Sequence, residues 1–430
     1  MSEALETSDL REGYRKVDFG PKTFVVPTDW SVERFGNVFN RRKESIDAED
    51  REGVKYVGLK HINSGELQIA GYDEDGQERS SSRAFRKGDV LFGKLRPNLE
   101  KAAVAPFDGV CSSDIIPIYA ESDELSEYLL YLMHSKLIRD RMVSTMEGTN
   151  LPRTSWSDLE STLVPIPPAA ERARITEVLS TVDRQIQQAS ETAEVATELK
   201  HGLVQDLVFY GPAHEDTQTV QLGPMTTEIA ASWDVSTVGD VATKVQYGSS
   251  ESLSQDGEYP VFRMNNIENG RMVASPMKYS DLSQDEAEKY HVEKGDILFN
   301  RTNSIDLVGK SGIFDLDGDY VFASYLIRIR TNEDMNPYFL NYYLNSSIGE
   351  GILKSYATRG ASQANINATS LKSVKVPLPP RETQDQIVAQ IQTIEQRIEE
   401  EKESKQKLQE IKRGLMQDLL TGTRRLDTDT

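Results

Sequence analysis

The chain has 430 residues, and 49 Lys or Arg against 69 Asp or Glu give it a net charge of −20. With 37% apolar residues it can fill two or three globular cores, which sets disorder aside, and its one cysteine, Cys111, excludes an internal disulfide or a zinc site with more than one thiolate. The N-terminus has no signal-peptide pattern, and the longest apolar run, Tyr128 to Met133, cannot span a bilayer, so a cytoplasmic protein with no membrane contact is expected.

Taken along the chain, every element comes twice. After a tail at 1–19, GPKT at Gly20 and WSVERFGNV at Trp30 return as GPMT at Gly223 and WDVSTVGDV at Trp233, an offset of 203. HINSG ending at Gly65 returns as NIENG ending at Gly270 (205), GDVLF at Gly88 as GDILF at Gly295 (207), and VCSSDIIPI at Val110 as VFASYLIRI at Val321 (211). VPIPP ending at Pro168 returns as VPLPP ending at Pro380, and HGLVQDLV as RGLMQDLL, both at 212. Offsets that change only between matched blocks are what insertions in surface loops of a shared fold produce, so the chain reads as a tandem duplication.

The first part of each copy, 20–167 and 223–379, mixes β-rich runs such as YVGLK, IIPIY and YLIRIRT with a Tyr/Leu helical stretch, which predicts an α+β (mixed α/β) globule. A long helix is predicted next, over 168–210. Its stripe is Ile175, Val178, Val182, Ile186, Ala189, Ala193, Ala196, Leu199, Leu203 and Leu207, all at steps of three or four. A linker at 211–222 leads to the second copy, whose helix at 380–421 carries Ile387, Ile391, Ile394, Ile398, Glu401, Lys405, Leu408, Ile411, Leu415 and Leu419, before a tail at 422–430. Small Ala189 and Ala193 would let two backbones approach, with the stems of Glu401 and Lys405 lying over them; a solvated i,i+4 pair is the alternative. The second helix has apolar surface to bury, and returning antiparallel along the first satisfies it. The expectation is a dumbbell of pseudo-twofold symmetry, two globules separated by two long antiparallel helices of roughly 50 Å.

Two similar heads at a fixed separation suit a target with two half-elements, and half-sites on duplex DNA recur every helical turn. The arrangement resembles the specificity subunit of type I restriction-modification systems. The residues that carry the resemblance are Trp30 and Trp233 in their W-x-V contexts, the blocks at Gly88 and Gly295, Pro165, Pro167 and Pro168 with Pro377, Pro379 and Pro380, and the repeated Gly-Leu-x-Gln-Asp-Leu near each helix end. The resemblance implies two target-recognition domains that read an asymmetric, interrupted sequence in double-stranded DNA. It also implies helices that dock two modification subunits, which bind S-adenosylmethionine and methylate adenine, and restriction subunits that use ATP with Mg. The chain itself would be non-catalytic and hold no cofactor or metal. Two departures are visible: Glu171-Arg172 and Thr383-Gln384 stand where a glutamate-glutamine pair is typical, and the chain is unusually acidic.

Acidity opposes DNA binding only as a whole-molecule sum. Acid concentrates in ESIDAEDREG, GYDEDGQE and SDLSQDEAE, whereas basic and amide residues gather by the matched blocks. A salt-adapted source would also account for a solvated acidic coat. The candidate DNA contacts are Lys94, Arg96 and Asn98 after the first GDVLF strand, Arg301 and Asn303 after its repeat, and Asn150, Arg153, Arg359, Gln363 and Asn365 in the polar stretches preceding the helices. Such groups can meet phosphates, guanine edges or adenine edges, with solvated charge and turn formation as the alternatives. Lys60, His61, Asn63, Asn265 and Asn266 are weaker candidates, and Trp30 and Trp233 are expected as core anchors. Gly88 to Lys94 spells a phosphate-loop pattern, but Leu95 replaces its Ser or Thr and the DVLF between looks like strand. Asn336-Pro337-Tyr338 matches part of an adenine-methyltransferase motif and is better read as a turn before a helix, and Glu198-Leu199-Lys200 and Glu403-Ser404-Lys405 are helix charge pairs rather than a nuclease tail. The competing function is a scaffold that binds no DNA and pairs two copies of a protein partner; a stand-alone DNA-processing enzyme would need a catalytic constellation the sequence does not offer.

Overall fold

Each Gly-Asp block folds into a central strand, Val90–Gly93 and Ile297–Asn300, and every residue of both is buried. Strands this apolar on both faces require cover on both sides. The computed structural model describes residues 11–20, 22–45, 53–74, 82–148, 150–213, 216–359 and 363–427; much of the acidic runs at 44–53 and 72–78 lies outside them. Two compact units emerge, one of Met1–Ala189 with Glu403–Thr430 and one of Ser190–Lys402. The division falls inside both long helices rather than at their ends, because each half-helix packs on the globule beside it.

In the first unit a four-stranded antiparallel sheet runs in the order Asn40–Arg41, Ile115–Tyr119, Val90–Gly93, Ala102–Val104, beside a three-stranded sheet of Tyr56–Val57, Gly109–Ser112 and Ser82–Phe85. Helix Asp123–Met133, capped by the Ser122 hydroxyl, covers it and supplies Tyr128, Leu129 and Leu132 to a core with Trp30, Phe35, Phe92 and Ile116. In the second unit the sheet has six strands, ordered Ala242–Tyr247, Leu326–Thr331, Ile297–Asn300, Ser311–Ile313, Arg271–Met272, Ile267–Glu268. Helix Pro337–Leu344 covers it, and Trp233, Phe299, Ile327, Phe339 and Tyr343 share its core. Asn336 caps that helix, its side-chain oxygen accepting the N–H of Tyr338 at 2.9 Å with Pro337 in the first turn, so the turn reading of this tripeptide is correct.

The Trp and proline blocks recur together because they pair. Ser31–Arg34 runs antiparallel to Leu163–Ile166, and Asp234–Thr237 to Lys375–Leu378, so the strand after each Trp holds the strand that feeds each long helix. Trp30 and Trp233 are 1% and 4% exposed, as expected of core anchors. The helices span Ala169–Tyr210 and Arg381–Leu420 and end on Gly211 and Gly422, whose φ of +70° and +73° is the left-handed closure glycine allows.

Within each unit the two half-helices run antiparallel. In the first, Ile175 and Leu179 share a core with Leu415, Met416, Leu419 and Leu420, and further along Asp183 meets Lys412 at 2.6 Å. In the second, Leu203 and Leu207 share a core with Ile387 and Ile391, and Lys200 meets Glu395 at 2.7 Å. Val182, Ala189 and Ile398 are buried, and Ile186, Ala193, Ile394 and Leu408 are half-buried. Leu199 and Ile411 correct the predicted stripe: they are 59% and 52% exposed, because the next residue of each helix, Lys200 or Lys412, turns inward to a carboxylate. Glu401 binds Arg397 of its own helix at 2.5 Å, an i,i+4 pair with a residue other than Lys405.

Candidate nucleic-acid interface

The Asp of each Gly-Asp block is structural. Gly88 and Gly295 both turn at φ +90°, and the following carboxylate accepts a backbone N–H three residues back, Arg86 on Asp89 (2.8 Å) and Glu293 on Asp296 (2.9 Å). Each carboxylate is 1–2% exposed and bound through two nitrogens by an arginine: Arg42 at 2.8 and 2.9 Å in the first unit, Arg330 at 2.7 and 2.8 Å in the second. These hydrogen bonds raise both guanidinium pKa values above the ordinary range. Arg328, 3.6 Å from Asp296 and 1% exposed, shifts the other way because burial outweighs its partner. Such buried pairs fix geometry more than they add stability. Here they fix the strand whose exit presents Lys94 or Arg301.

Both exits use the same main-chain frame. Lys94 donates its N–H to the Asp114 carbonyl (2.9 Å) and accepts the N–H of Thr154 (3.0 Å); Arg301 donates to Tyr325 (3.1 Å) and accepts from Ile366 (2.9 Å). Leu95 then bridges Arg153, and Thr302 pairs with Asn365. The frame therefore gathers Lys94, Arg96 and Arg153 in one unit, with Arg96 donating its N–H to the Pro152 carbonyl, and Arg301, Asn303 and Asn365 in the other. Asn98 on the 3₁₀ turn Pro97–Leu99, Asn150 and Gln363 are exposed nearby in sequence, and Arg359 closes strand Thr358–Arg359, its side chain lying outside what is described.

Side chains on the two frames differ. Arg153 binds Asp114 through Nε at 3.0 Å, which raises its pKa, and keeps 42% of its side chain exposed. Burial lowers the Lys94 pKa, aided by Arg83 and Arg153 and opposed by Asp114. In the second unit Arg301 lies on the Tyr247 ring at 4.8 Å and donates to the Ser324 carbonyl (3.3 Å) and to Asn365 Oδ1 (3.5 Å). Sequence reasoning passed over the position that holds Asp114 in one copy and Tyr325 in the other, although the aligned blocks VCSSDIIPI and VFASYLIRI put the two in register. Tyr325 is 52% exposed.

The weaker candidates separate. Asn266 is fully buried and spends its amide on the Val273 and Pro276 carbonyls, and His61 accepts the Gly58 N–H at 3.0 Å beneath the surface, so both are turn formers. Lys60 pairs with Asp73 at 2.8 Å, while Asn63 and Asn265 are exposed. A second constellation was also missed. Tyr131 Oη donates to Asp183 (2.8 Å), which binds Lys412; at the repeat-equivalent place Tyr342 donates to Glu395 (3.0 Å), which binds Lys200 and Arg271. Burial opposes the Glu395 carboxylate, but its two cations hold it below the ordinary range. Each triad ties a globule to its own half-helix pair.

Among the described residues no group of three or more His, Cys, Asp or Glu is placed to hold a metal, and no helix is long and apolar enough to cross a membrane. Within the phosphate-loop pattern at Gly88 to Lys94, Val90–Gly93 is strand.

The family described as type I restriction modification DNA specificity domain matches residues 27–197 and 231–410, one match in each copy. The putative type I restriction enzyme MjaX specificity subunit of Methanocaldococcus jannaschii is 25% identical over 97% of this chain and 98% of its own length. In fold, a solved chain of a type I R-M system covers 93% of this chain and 99% of itself at 22% identity, with a TM-score of 0.58. The type I restriction-modification S subunit from M. genitalium covers 91% and 96% at 13% identity, with a TM-score of 0.53. With both repeats matched over most of its length, the chain belongs to the type I restriction-modification DNA specificity family, as a recognition subunit rather than an enzyme.

Proposed function

We propose that each unit reads one half of an interrupted, asymmetric sequence in double-stranded DNA through the frame around Lys94 or Arg301, and that the long helices dock two modification subunits. The observation that carries this reading is one backbone frame bearing different side chains, Lys94, Asp114 and Arg153 against Arg301, Tyr325 and Asn365. A shared frame presents residues at the same place on two half-sites, and different residues select different bases. Val195, Leu199 and Ile411, at 65%, 59% and 52% exposed, supply apolar helix surface for the docked subunits. S-adenosylmethionine would sit on those subunits, and ATP with Mg on restriction subunits, with the assembly in the cytoplasm where its DNA lies. Single-molecule sequencing of host DNA tests the reading. A bipartite 6-methyladenine motif that vanishes when this gene is deleted is expected. Its persistence, or a pull-down in which a stoichiometric pair of some other protein replaces the methyltransferase, would overturn it.

A further inference from the structure

On the frame of the second unit the polar groups are largely spent. Arg301 clamps one turn twice, its guanidinium on the Ser324 carbonyl and its N–H on the Tyr325 carbonyl, while its plane rests on Tyr247. Asn365 takes Arg301 on its oxygen and gives its amide to Thr302 at 2.6 Å. Asn303 accepts the Ser304 N–H at 2.8 Å and places its amide against the Met264 sulfur. Among the described residues, large apolar side chains face water beside them: Tyr325, with Met264 beside Asn303 and Leu307 on the loop held by the Asn300 amide.

In the first unit the Tyr325 position is filled by Asp114, already bound by Arg153. The second unit therefore meets DNA with a rigid aromatic surface where the first offers a charged pair. Base edges in the major groove present one apolar feature, the 5-methyl group of thymine. Resting on the reading that this unit contacts DNA, we infer that Tyr325 is the specificity-determining residue for a thymine in the half-site of the second unit, its ring packing on the 5-methyl group. Arg301 is a positioning residue that holds the Ser324–Tyr325 turn.

The test uses the full chain assembled with its methyltransferase subunits and a duplex carrying its own methylated motif. Each thymine is replaced in turn by uracil, which removes only the methyl group. One replacement should weaken binding by wild type about fourfold. Tyr325→Ala should bind that duplex and the parent alike, Tyr325→Phe should keep the preference, and replacements in the other half-site should act on all three proteins equally. Discrimination by Tyr325→Ala equal to wild type, or no thymine whose methyl matters, overturns the inference and leaves the DNA reading standing. So does a Tyr325→Ala protein that melts like wild type yet binds no DNA, since losing one methyl contact cannot abolish phosphate-driven binding. A wild-type complex that binds the motif no better than scrambled DNA removes the DNA reading itself.

Discussion

Removing the Arg425 charge from the first unit should be costly. Its Nε and Nη2 reach Glu171 at 2.6 and 2.7 Å, and its two terminal nitrogens reach Asp29 at 2.9 and 2.8 Å. Glu171 is 2% exposed and also accepts the indole N–H of Trp30 at 2.9 Å. Arg425→Met keeps most of the stem and deletes the charge, leaving a buried carboxylate without its cation. Breaking such a pair costs about 3–5 kcal/mol when both partners are buried, and Arg425 is 37% exposed, so about 2–3 kcal/mol is expected. For a unit of this size that lowers the melting temperature by roughly 5–10 °C. Calorimetry of the full chain would measure it, with hydrogen exchange over Thr23–Arg34 locating the loss in this unit. The double variant Arg425→Met with Glu171→Gln should recover most of it, because an amide still accepts the Trp30 N–H and carries no charge. The Arg425 hydrogen bond also lowers the Asp29 pKa, so its contribution is present above the unfolded carboxyl range near pH 4 and is lost as pH falls through the folded value. The variant should lack that part of the acid loss. Unchanged melting, or a double variant weaker than the single, would refute the reasoning.

The two Tyr-acid-Lys triads predict an asymmetry. Glu395 keeps Arg271 after Lys200→Met, whereas no second ion pair on Asp183 is seen among the described residues after Lys412→Met. Denaturant titration should therefore show a loss of about 1 kcal/mol for the first and about 2–3 kcal/mol for the second; the reverse order contradicts the charge accounting. Burial pushes the His134 imidazole down to about 4 while its Nε2 sits 2.7 Å from the Ala102 carbonyl. Its folded value lies below the unfolded one, so stability present above pH 6.5 declines as pH falls toward 4, by at most about 3 kcal/mol. His134→Asn, which installs the residue found at Asn345 of the second copy, should flatten that slope in melting curves taken from pH 7 to 4. Leu199→Glu with Ile411→Glu should leave melting unchanged, since both side chains face water, and should weaken co-purification with the methyltransferase; intact co-purification would place docking elsewhere.

The duplication, the two long helices and the tryptophan anchors were legible because each rests on many residues at once: ordered blocks, an apolar period, a large ring beside a strand. Single positions were legible only where local chemistry decides them. Asn336 is such a case, since an amide before a proline caps a helix whatever surrounds it. Leu199 and Lys200 are the opposite case. A stripe of three- and four-residue steps leaves neighbours within a fraction of a turn of the seam, and Glu395, distant in sequence, draws Lys200 inward and turns Leu199 out. The Asp89 and Asp296 roles were hidden for a like reason, because Arg42 follows strand Asn40–Arg41 and Arg330 lies on Leu326–Thr331, both distant in sequence from the carboxylates. Arg301 was correctly placed at the strand exit, but its stacking on Tyr247 depends on a partner fifty-four residues earlier.

On the proposed reading, the frame would let two copies of one fold take different targets without refolding. The bonds that place Lys94 and Arg301 run between main-chain groups, Asp114 or Tyr325 giving only a carbonyl and Thr154 or Ile366 only an N–H. A main-chain donor or acceptor survives any substitution but proline, so the side chain at Asp114 or Tyr325 carries no share of that bond. The groups that cannot vary freely lie beneath: the carboxylates of Asp89 and Asp296, each with its guanidinium, where removal of either partner strands a buried charge. On that reading, stability and recognition occupy different atoms of the same strand exit. Exchanging Asp114 for Tyr, or Tyr325 for Asp, should alter what is bound far more than whether the chain folds.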